Sequence, residues 1–461
     1  MAYRDERHDV LIIGSGPGGL FCADQVRDAD VVLVEQGSAM PRRVCPDSDL
    51  CDCRPCDVLE GEGGAGSFSD GKITLSATRG THGASLFTPD QERYLEVVED
   101  TIRRFTPTLA DYPPVDGLPL LPAGHGGLAF ESYPLIHAGS DGIRAFGQAY
   151  SAHLRQAGVD IRQGQQVTAL LYDGGRVSGA VVRDRRSRGE YRIFADRVVA
   201  GCGLAGAAWL ESELARRGVA LRTGPADFGI RLETTAAALD PFISRFYDFK
   251  VRHQAAGISL RSFCVNGNGY VTAEYHRGLG IRGVNGHSYL ATRSGLSNLA
   301  IVATITEDQH RDPKAYVRDT ARAVNAAAGG YPIRQKLGDL LPGMATAAGV
   351  RASNPKTRPG RLQDVLPDSL LEAFTSYIRT LGEVLPPVLA ADTVLYAPEI
   401  KYYAYRVPIN PQTWESTDVT GLYVVGNAAG YTASLSAAAL SGIIAGRAIT
   451  GRTRPRVVSS P

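Results

Sequence analysis

Tryptophan and methionine are scarce in this chain, at two and three residues. No apolar run approaches the roughly 18 residues of a membrane span. Net charge is almost absent, at +1. A chain so balanced has no bulk attraction to nucleic acid or to an anionic membrane, and both are excluded as expected partners. No secretory leader is expected either. The N-terminal Arg4-Asp5-Glu6-Arg7 is charged and runs straight into an apolar stretch, so a cytoplasmic location is expected. Tandem repeats and low-complexity tracts are absent too. What remains is an ordinary globular composition over 461 residues, too long for one core, so two connected domains are expected.

The informative stretch is the first 35 residues. Asp9 to Ile13 reads as a buried strand. Gly14-Ser15-Gly16-Pro17-Gly18-Gly19 follows, then a helical stretch from Leu20 to Val26 and a second apolar strand, Val31 to Val34, ending on Glu35. This strand, glycine turn, helix, strand and acid order is a dinucleotide-binding unit. Gly14 permits the tight turn, Gly16 lets the backbone approach a pyrophosphate, and Gly19 lets the helix pack against the strand. The helix N-terminus attracts the pyrophosphate, and Glu35 is placed to accept hydrogen bonds from a ribose. A lone glycine motif is weak, but here both strands and the acid are present. A second such turn, Gly201-Cys202-Gly203-Leu204-Ala205-Gly206, lacks a following acid-tipped strand. It reads as a return to the same domain rather than as a separate nicotinamide site.

Elsewhere, helices are expected at Gln91–Phe105, Gly142–Ala157, Ala207–Arg217, Pro313–Ala328 and Pro367–Leu381. Alternating stretches around Phe228–Glu233, Gly257–Val265 and Tyr270–Tyr275 predict an antiparallel sheet. Residues 106–133, rich in Pro and Gly, read as irregular surface or lid. Near the end, Thr420–Val425 predicts a buried strand, Gly426-Asn427-Ala428-Ala429-Gly430 a turn, and Tyr431–Ile449 a helix. The expected fold is α/β: an FAD/NAD(P)-binding Rossmann-like domain with an inserted α+β substrate domain containing an antiparallel sheet. The expected boundaries are 1–75, 135–227 and 396–451 for the FAD-binding domain and 76–134 and 228–395 for the substrate or cap domain, with a disordered tail over 452–461.

The chain resembles the bacterial FAD-dependent dehydrogenases, flavoproteins of the glutathione-reductase type, over nearly its whole length. The marks are the N-terminal fingerprint, the stretch Gly63-Gly64-Ala65-Gly66-Ser67-Phe68-Ser69-Asp70-Gly71-Lys72, Gly139-Ser140-Asp141, Asp227 to Glu233, Ser262-Phe263-Cys264, and the closing Gly421-Leu422-Tyr423 and Ala429-Gly430-Tyr431. The resemblance implies non-covalent FAD, a Gly63–Lys72 loop passing close to the flavin, and a closing strand and helix completing the flavin site. Two departures stand out. Asn427 replaces an acid that the family tends to have, and Glu399 to Arg406 differs from the family wording. The second departure implies a specialised substrate.

The expected cofactor contacts are Gly14, Gly16, Pro17, Gly19, Glu35, Gln36, Arg43, Gly64, Gly66, Ser69, Val167, Gly201, Gly203, Gly426, Asn427 and Ser434. Candidates for chemistry are Asp70 and Lys72, Arg231, Lys401, Tyr402 and Tyr431. Asp70 and Lys72 are polar groups near the flavin or ties for their own loop. Arg231 binds a substrate carboxylate in bidentate fashion or pairs with Glu233 or another acid, the latter slightly favoured. Lys401 and Tyr402 act as acid or base or pack over the flavin.

Cysteine is the uneven feature. Cys45, Cys51, Cys53 and Cys56 fall within twelve residues. They supply enough thiolates for zinc or an iron-sulfur cluster, although the spacing fits no common cluster motif. A dithiol or disulfide at Cys53 and Cys56 is the alternative, and four inert thiols the third. A structural metal or disulfide staple is expected over catalysis. The expected function is an FAD-dependent oxidoreductase, a dehydrogenase or oxidase moving a hydride between a small organic substrate and flavin N5. Its electron acceptor would be O2, NAD(P) or another species. The rivals are a flavin monooxygenase, a flavin-bound RNA-modification factor and a redox sensor.

Overall fold

The computed structural model describes residues 4–45, 53, 56–81, 86–113, 127–342, 351–452 and 455. Cys51, residues 114–126 of the expected lid and most of the expected tail lie outside them. The chain divides into two compact units. One comprises residues 1–110, 136–223 and 403–461, the other residues 111–135 and 224–402. Residues 76–110, expected with the cap, fall in the first unit. Phe87, Val97, Val98 and Ile102 are buried in its core.

The first unit is built on a seven-stranded sheet. Arg4–Ile13 lies at its centre. It pairs in parallel with Val31–Glu35 on one side and Glu190–Ala200 on the other. Asp160–Gln163 extends the parallel part beyond Val31–Glu35. The Glu190–Ala200 strand is shared. Its first half pairs antiparallel with Arg176–Asp184, and its last residues pair in parallel with the closing strand Leu422–Val424. The meander Gln165–Asp173 and Arg176–Asp184 turns at Gly174, φ +59°. The Gly201 N–H donates to the Ile13 carbonyl at 2.8 Å, so the second glycine turn belongs to this same sheet.

Two helices cross closely against that sheet: the fingerprint helix Pro17–Val26 and the closing helix Leu435–Thr450. The closing helix is buried continuously from Ser436 to Gly446, which is why its sequence is apolar or small on every side. Its start differs from expectation by four residues. Ser434 takes an extended backbone and its Oγ accepts from the Ala437 N–H, an N-cap that places Tyr431 to Ala433 outside the helix. Glycine makes the crossing possible: a Cβ on Gly442 would lie 2.1 Å from the Gly18 carbonyl oxygen, and one on Gly446 would lie 3.0 Å from that of Cys22.

The second unit is an eight-stranded sheet. Its middle is antiparallel: Val394–Lys401, Ala226–Thr235, Leu296–Ile305, Ile258–Asn266 and Lys250–Ala255 lie side by side. Leu296–Ile305 and Ala226–Thr235 are buried on both faces, so the polar residues of Ala226–Thr235, among them Asp227, Arg231 and Glu233, are paired inside the sheet. The helices Ala236–Phe246, Pro313–Ala327 and Asp368–Val384 supply apolar faces to this second core. A separate hairpin joins Tyr270–His276 to Ile281–His287. The architecture is therefore α/β with an inserted α+β domain. Among the described residues, no helix is long and apolar enough to cross a membrane.

Gly19 tests the packing argument. A Cβ there would sit 2.0 Å from the Gly14 carbonyl oxygen, a backbone atom that cannot swing aside. Gly19→Ala should cost roughly 1–3 kcal/mol through overpacking, read as a lowered urea midpoint with unchanged slope.

Candidate functional site

The fingerprint turn has an open side and a packed side. Gly14 takes φ +99°, and a Cβ there would meet the Gly201 carbonyl at 2.5 Å. Gly16 is the N-cap of the helix, extended at φ −70° and ψ 176°, and no side chain caps the first turn. The free N–H groups and the positive helix end therefore stay available to an anion. A Cβ on Gly16 would meet nothing closer than the Gly64 Cα at 3.9 Å. Pro17 occupies the first helical position. The residues at this turn fit a pyrophosphate: backbone donors, no competing cap and no side chain in the way.

Glu35 ends the second strand as expected, but its carboxylate is already well supplied. One oxygen accepts from the Ser15 N–H and hydroxyl, the other from the Gly37 and Gly61 N–H groups, all at 2.9 Å. Its observed role is a buried clasp joining three segments. Gln36 beside it is half-buried.

Arg43 is 1% exposed. Its Nε donates to the Asp57 carbonyl at 2.9 Å, Nη1 to the Glu62 carbonyl and, at 3.0 Å, to that of Gly64, and Nη2 to that of Val58 at 3.1 Å. Its guanidinium lies 4.6 Å from the centre of the Phe68 ring. Burial lowers it to about 10, opposed by Glu35 and Asp57. Arg43 thus spends these donors on the backbone of the loop it precedes.

That loop brings Gly64 against Gly16 and Gly66 against Pro17 and Leu435. The Ser69 hydroxyl donates to the Gly66 carbonyl at 2.7 Å. Asp70 and Lys72 form an ion pair at 2.9 Å, both at most 9% exposed. Sequence reasoning missed their neighbour His137, whose Nε2 is 2.9 Å from the Asp70 carbonyl. Burial lowers this imidazole to about 4, with Asp70 opposing. Its position just before Gly139-Ser140-Asp141 was the available signal.

The remaining first-unit expectations are placed as follows. Val167 is buried in the meander opposite Val182. Gly201 and Gly203 bracket the second turn, Gly203 at φ +60°. The Gly426 N–H donates to Ser441 Oγ at 2.9 Å. Asn427 is half-buried. Ser434 caps the closing helix, and its hydroxyl lies 3.4 Å from the Arg79 carbonyl. The Tyr431 hydroxyl donates to the Val407 carbonyl at 3.1 Å, and burial raises it.

A second cluster lies within the other unit. Arg231 is fully buried and its fork is filled by Glu399, with both contacts at 2.7 Å. Nη1 donates to Asn298 at 2.7 Å and to Asn266 and the Cys264 carbonyl at 3.1 Å. This is the structural ion pair, with Glu399 rather than Glu233 as partner. Glu233 instead accepts from Tyr396 at 2.6 Å and from Ser353. Lys401 lies 3.1 Å from Glu399 and 3.8 Å from Glu274. Burial works against its charge, but Glu399 and Glu274 prevail and raise it above the ordinary lysine value. Glu274 is held at about 2, because Lys401 and His276 outweigh its burial. Lys401, Lys250 and Arg261 all lie within 6.0 Å of the half-buried Phe263 ring. Tyr402 packs under Lys314 at 5.6 Å.

The expected zinc or iron-sulfur centre is not supported and is corrected here. Among the described residues no group of three or more His, Cys, Asp or Glu side chains is placed to hold a metal. Cys45 is exposed, Cys53 and Cys56 are half-buried, and none of the three is in a disulfide among the described residues. A metal needs its donors converging in space, and spacing along the chain overstated that convergence. Carbonyl contacts to Arg43 organise residues 57–64 instead.

A family model described as an FAD binding domain matches residues 119–240. An uncharacterized protein of Clostridium beijerinckii is 22% identical over 94% of this chain and 79% of its own length. Among solved structures, glycine oxidase from Geobacillus kaustophilus is 13% identical, with a TM-score of 0.41 over 98% of this chain and 97% of that one. A geranylgeranyl bacteriochlorophyll reductase-like protein from Thermoplasma acidophilum is 12% identical, with a TM-score of 0.40 over 97% and 79%. L-amino acid deaminase from Proteus myxofaciens is 12% identical, with a TM-score of 0.39 over 99% and 93%. The FAD binding domain match and the open fingerprint turn agree on an FAD-binding protein.

His137 gives a pH test. Its folded value of about 4 lies below the ordinary histidine value near 6.5. Its contribution to stability is therefore complete above pH ~6.5 and is lost as pH falls through about 4, at up to about 1.4 kcal/mol per pH unit. His137→Gln, which keeps a donor toward the Asp70 carbonyl, should flatten the stability profile over that window in urea titrations.

Proposed function

We propose that this chain is an FAD-dependent dehydrogenase or oxidase acting on a small organic substrate. The observation that carries the reading is Gly16. Its backbone is ordinary extended backbone, open to any residue, and no protein atom would obstruct a Cβ. An N-cap favours Ser, Thr, Asp or Asn over glycine's bare backbone. Neither conformation nor packing requires glycine there, whereas close approach of a pyrophosphate does.

FAD, when bound, supplies the hydride chemistry at its flavin ring. The chain's own residues do the rest. The open first turn at Gly16 and Gly19 binds the anionic bridge, and Gly203, Gly426 and Asn427 present backbone and amide groups beside it. In the second unit, the Lys401 ammonium, fixed by Glu399 and Glu274, offers a stable positive charge for an anionic or carbonyl oxygen. The Arg231–Glu399 pair acts as a positioning element, holding the carboxylate that holds Lys401.

Two measurements test this. Gly16→Ala should leave the unfolding free energy within about 1 kcal/mol of wild type in urea titrations, given the open space around it, yet cut the flavin-to-protein ratio of purified protein at least tenfold. Wild-type flavin retention in the variant would overturn the placement of the pyrophosphate. In air, a substrate that bleaches the flavin anaerobically should yield one hydrogen peroxide per product and no oxygen from labelled O2. Label in the product would establish the monooxygenase rival instead.

A further inference from the structure

The second unit carries a cavity of about 810 Å³ that none of the candidate chemistry uses. Its wall begins with the strand Ile333–Lys336, where alternate residues are buried. Ile333 and Gln335 face the core, so Arg334 and Lys336 share the opposite side, and both line the cavity. Arg361 lines it too, ion-paired to Asp364 at 3.4 Å, and Asp339 is the acid among the lining residues. Three cations against these two carboxylates leave the wall with a net positive charge. Leu340, Leu341, Pro342 and Val394 add an apolar surface.

This wall is stitched together by side chains. The Gln335 amide donates to Gln363 Oε1 at 2.8 Å and its oxygen accepts from the Leu362 N–H at 2.7 Å. The Gln363 amide in turn donates to the Asp339 carbonyl at 3.1 Å. Arg334 is braced from behind, its Nη1 donating to the Thr357 carbonyl at 2.5 Å and hydroxyl at 3.1 Å. Its Nε and Nη2 make no hydrogen bond among the described residues. Bracing one nitrogen while leaving the other edge of the guanidinium open is how an arginine is set to grip an oxyanion. The volume lies in the usual range of small-molecule sites, roughly 300–1,000 Å³.

We infer that this cavity binds a small organic oxyanion, gripped by Arg334, Lys336 and Arg361, with its carbon body against Leu340, Leu341 and Pro342. The site is separate from the Lys401 cluster, and the inference does not depend on the redox reading. A phosphate ester and a dicarboxylate share the required chemistry.

Calorimetric titration of the full chain with ribose 5-phosphate, succinate and uncharged ribose tests it. At least one of the two anions should bind, and the tighter one identifies the source of the oxyanion, while ribose should not bind. Arg334→Gln combined with Lys336→Gln should weaken the anion at least tenfold. Arg361→Gln, at a highly exposed side chain whose loss leaves the fold intact, should weaken it measurably by itself. The inference is overturned if neither anion binds, if ribose binds as well as the anions, or if Arg361→Gln leaves the affinity unchanged.

Discussion

The Glu35 clasp is the constraint on which the first unit depends. One buried carboxylate gathers donors from the fingerprint turn at Ser15, from the segment after its own strand at Gly37, and from the distant loop at Gly61. A carboxylate buried to 6% exposure is tolerable only when its lone pairs are met, and here each oxygen takes two donors. Such charge-assisted bonds are the strong ones. The loop beyond Gly61 therefore cannot drift from the fingerprint. Arg43 extends the same control by holding the carbonyls of Asp57, Val58, Glu62 and Gly64. Gly64 is then pinned against Gly16, and the Asp70–Lys72 pair follows from where that loop must run.

Periodicity carried the element types well, because strands and helices are decided locally. The buried runs at Val10–Ile13 and Val31–Val34 and the strand over Phe228–Glu233 follow from spacing alone, although that last strand is buried on both faces rather than alternately. The partners of charged groups do not. Arg231 and Glu399 stand 168 residues apart, and their meeting depends on the pairing of Ala226–Thr235 with Val394–Lys401. The four-cysteine stretch failed for a related reason. Closeness in sequence says little about convergence of thiolates, whereas the adjacent arginine, unremarked as a loop organiser, had a whole row of carbonyls within reach.

The ion pair at Arg231 also bears on chemistry. A fully buried pair gives weak stability relative to apolar residues of the same shape, so stability alone does not account for it. Its geometric effect is clearer. Arg231 fixes both oxygens of Glu399 at 2.7 Å, and Glu399 then offers one of them to Lys401 at 3.1 Å. Glu274 approaches the same ammonium from the hairpin. Two acids around one lysine keep it protonated, which suits it to polarise or hold an oxygen and disqualifies it as a proton acceptor.

The opposite condition holds at His137. Burial keeps that imidazole neutral down to a pH of about 4, and Nε2 is committed to the Asp70 carbonyl. With Nε2 carrying the proton, Nδ1 is left as the acceptor. Asp70 itself is tied to Lys72 at 2.9 Å. Of these titratable candidates, Lys401 is therefore held as a cation and His137 as a neutral imidazole. A general base is recognised first by geometry and then by a value suited to the working pH. His137 meets neither demand fully, since it is buried and its value is low. Its fixed tautomer suits it to orienting the Asp70 segment.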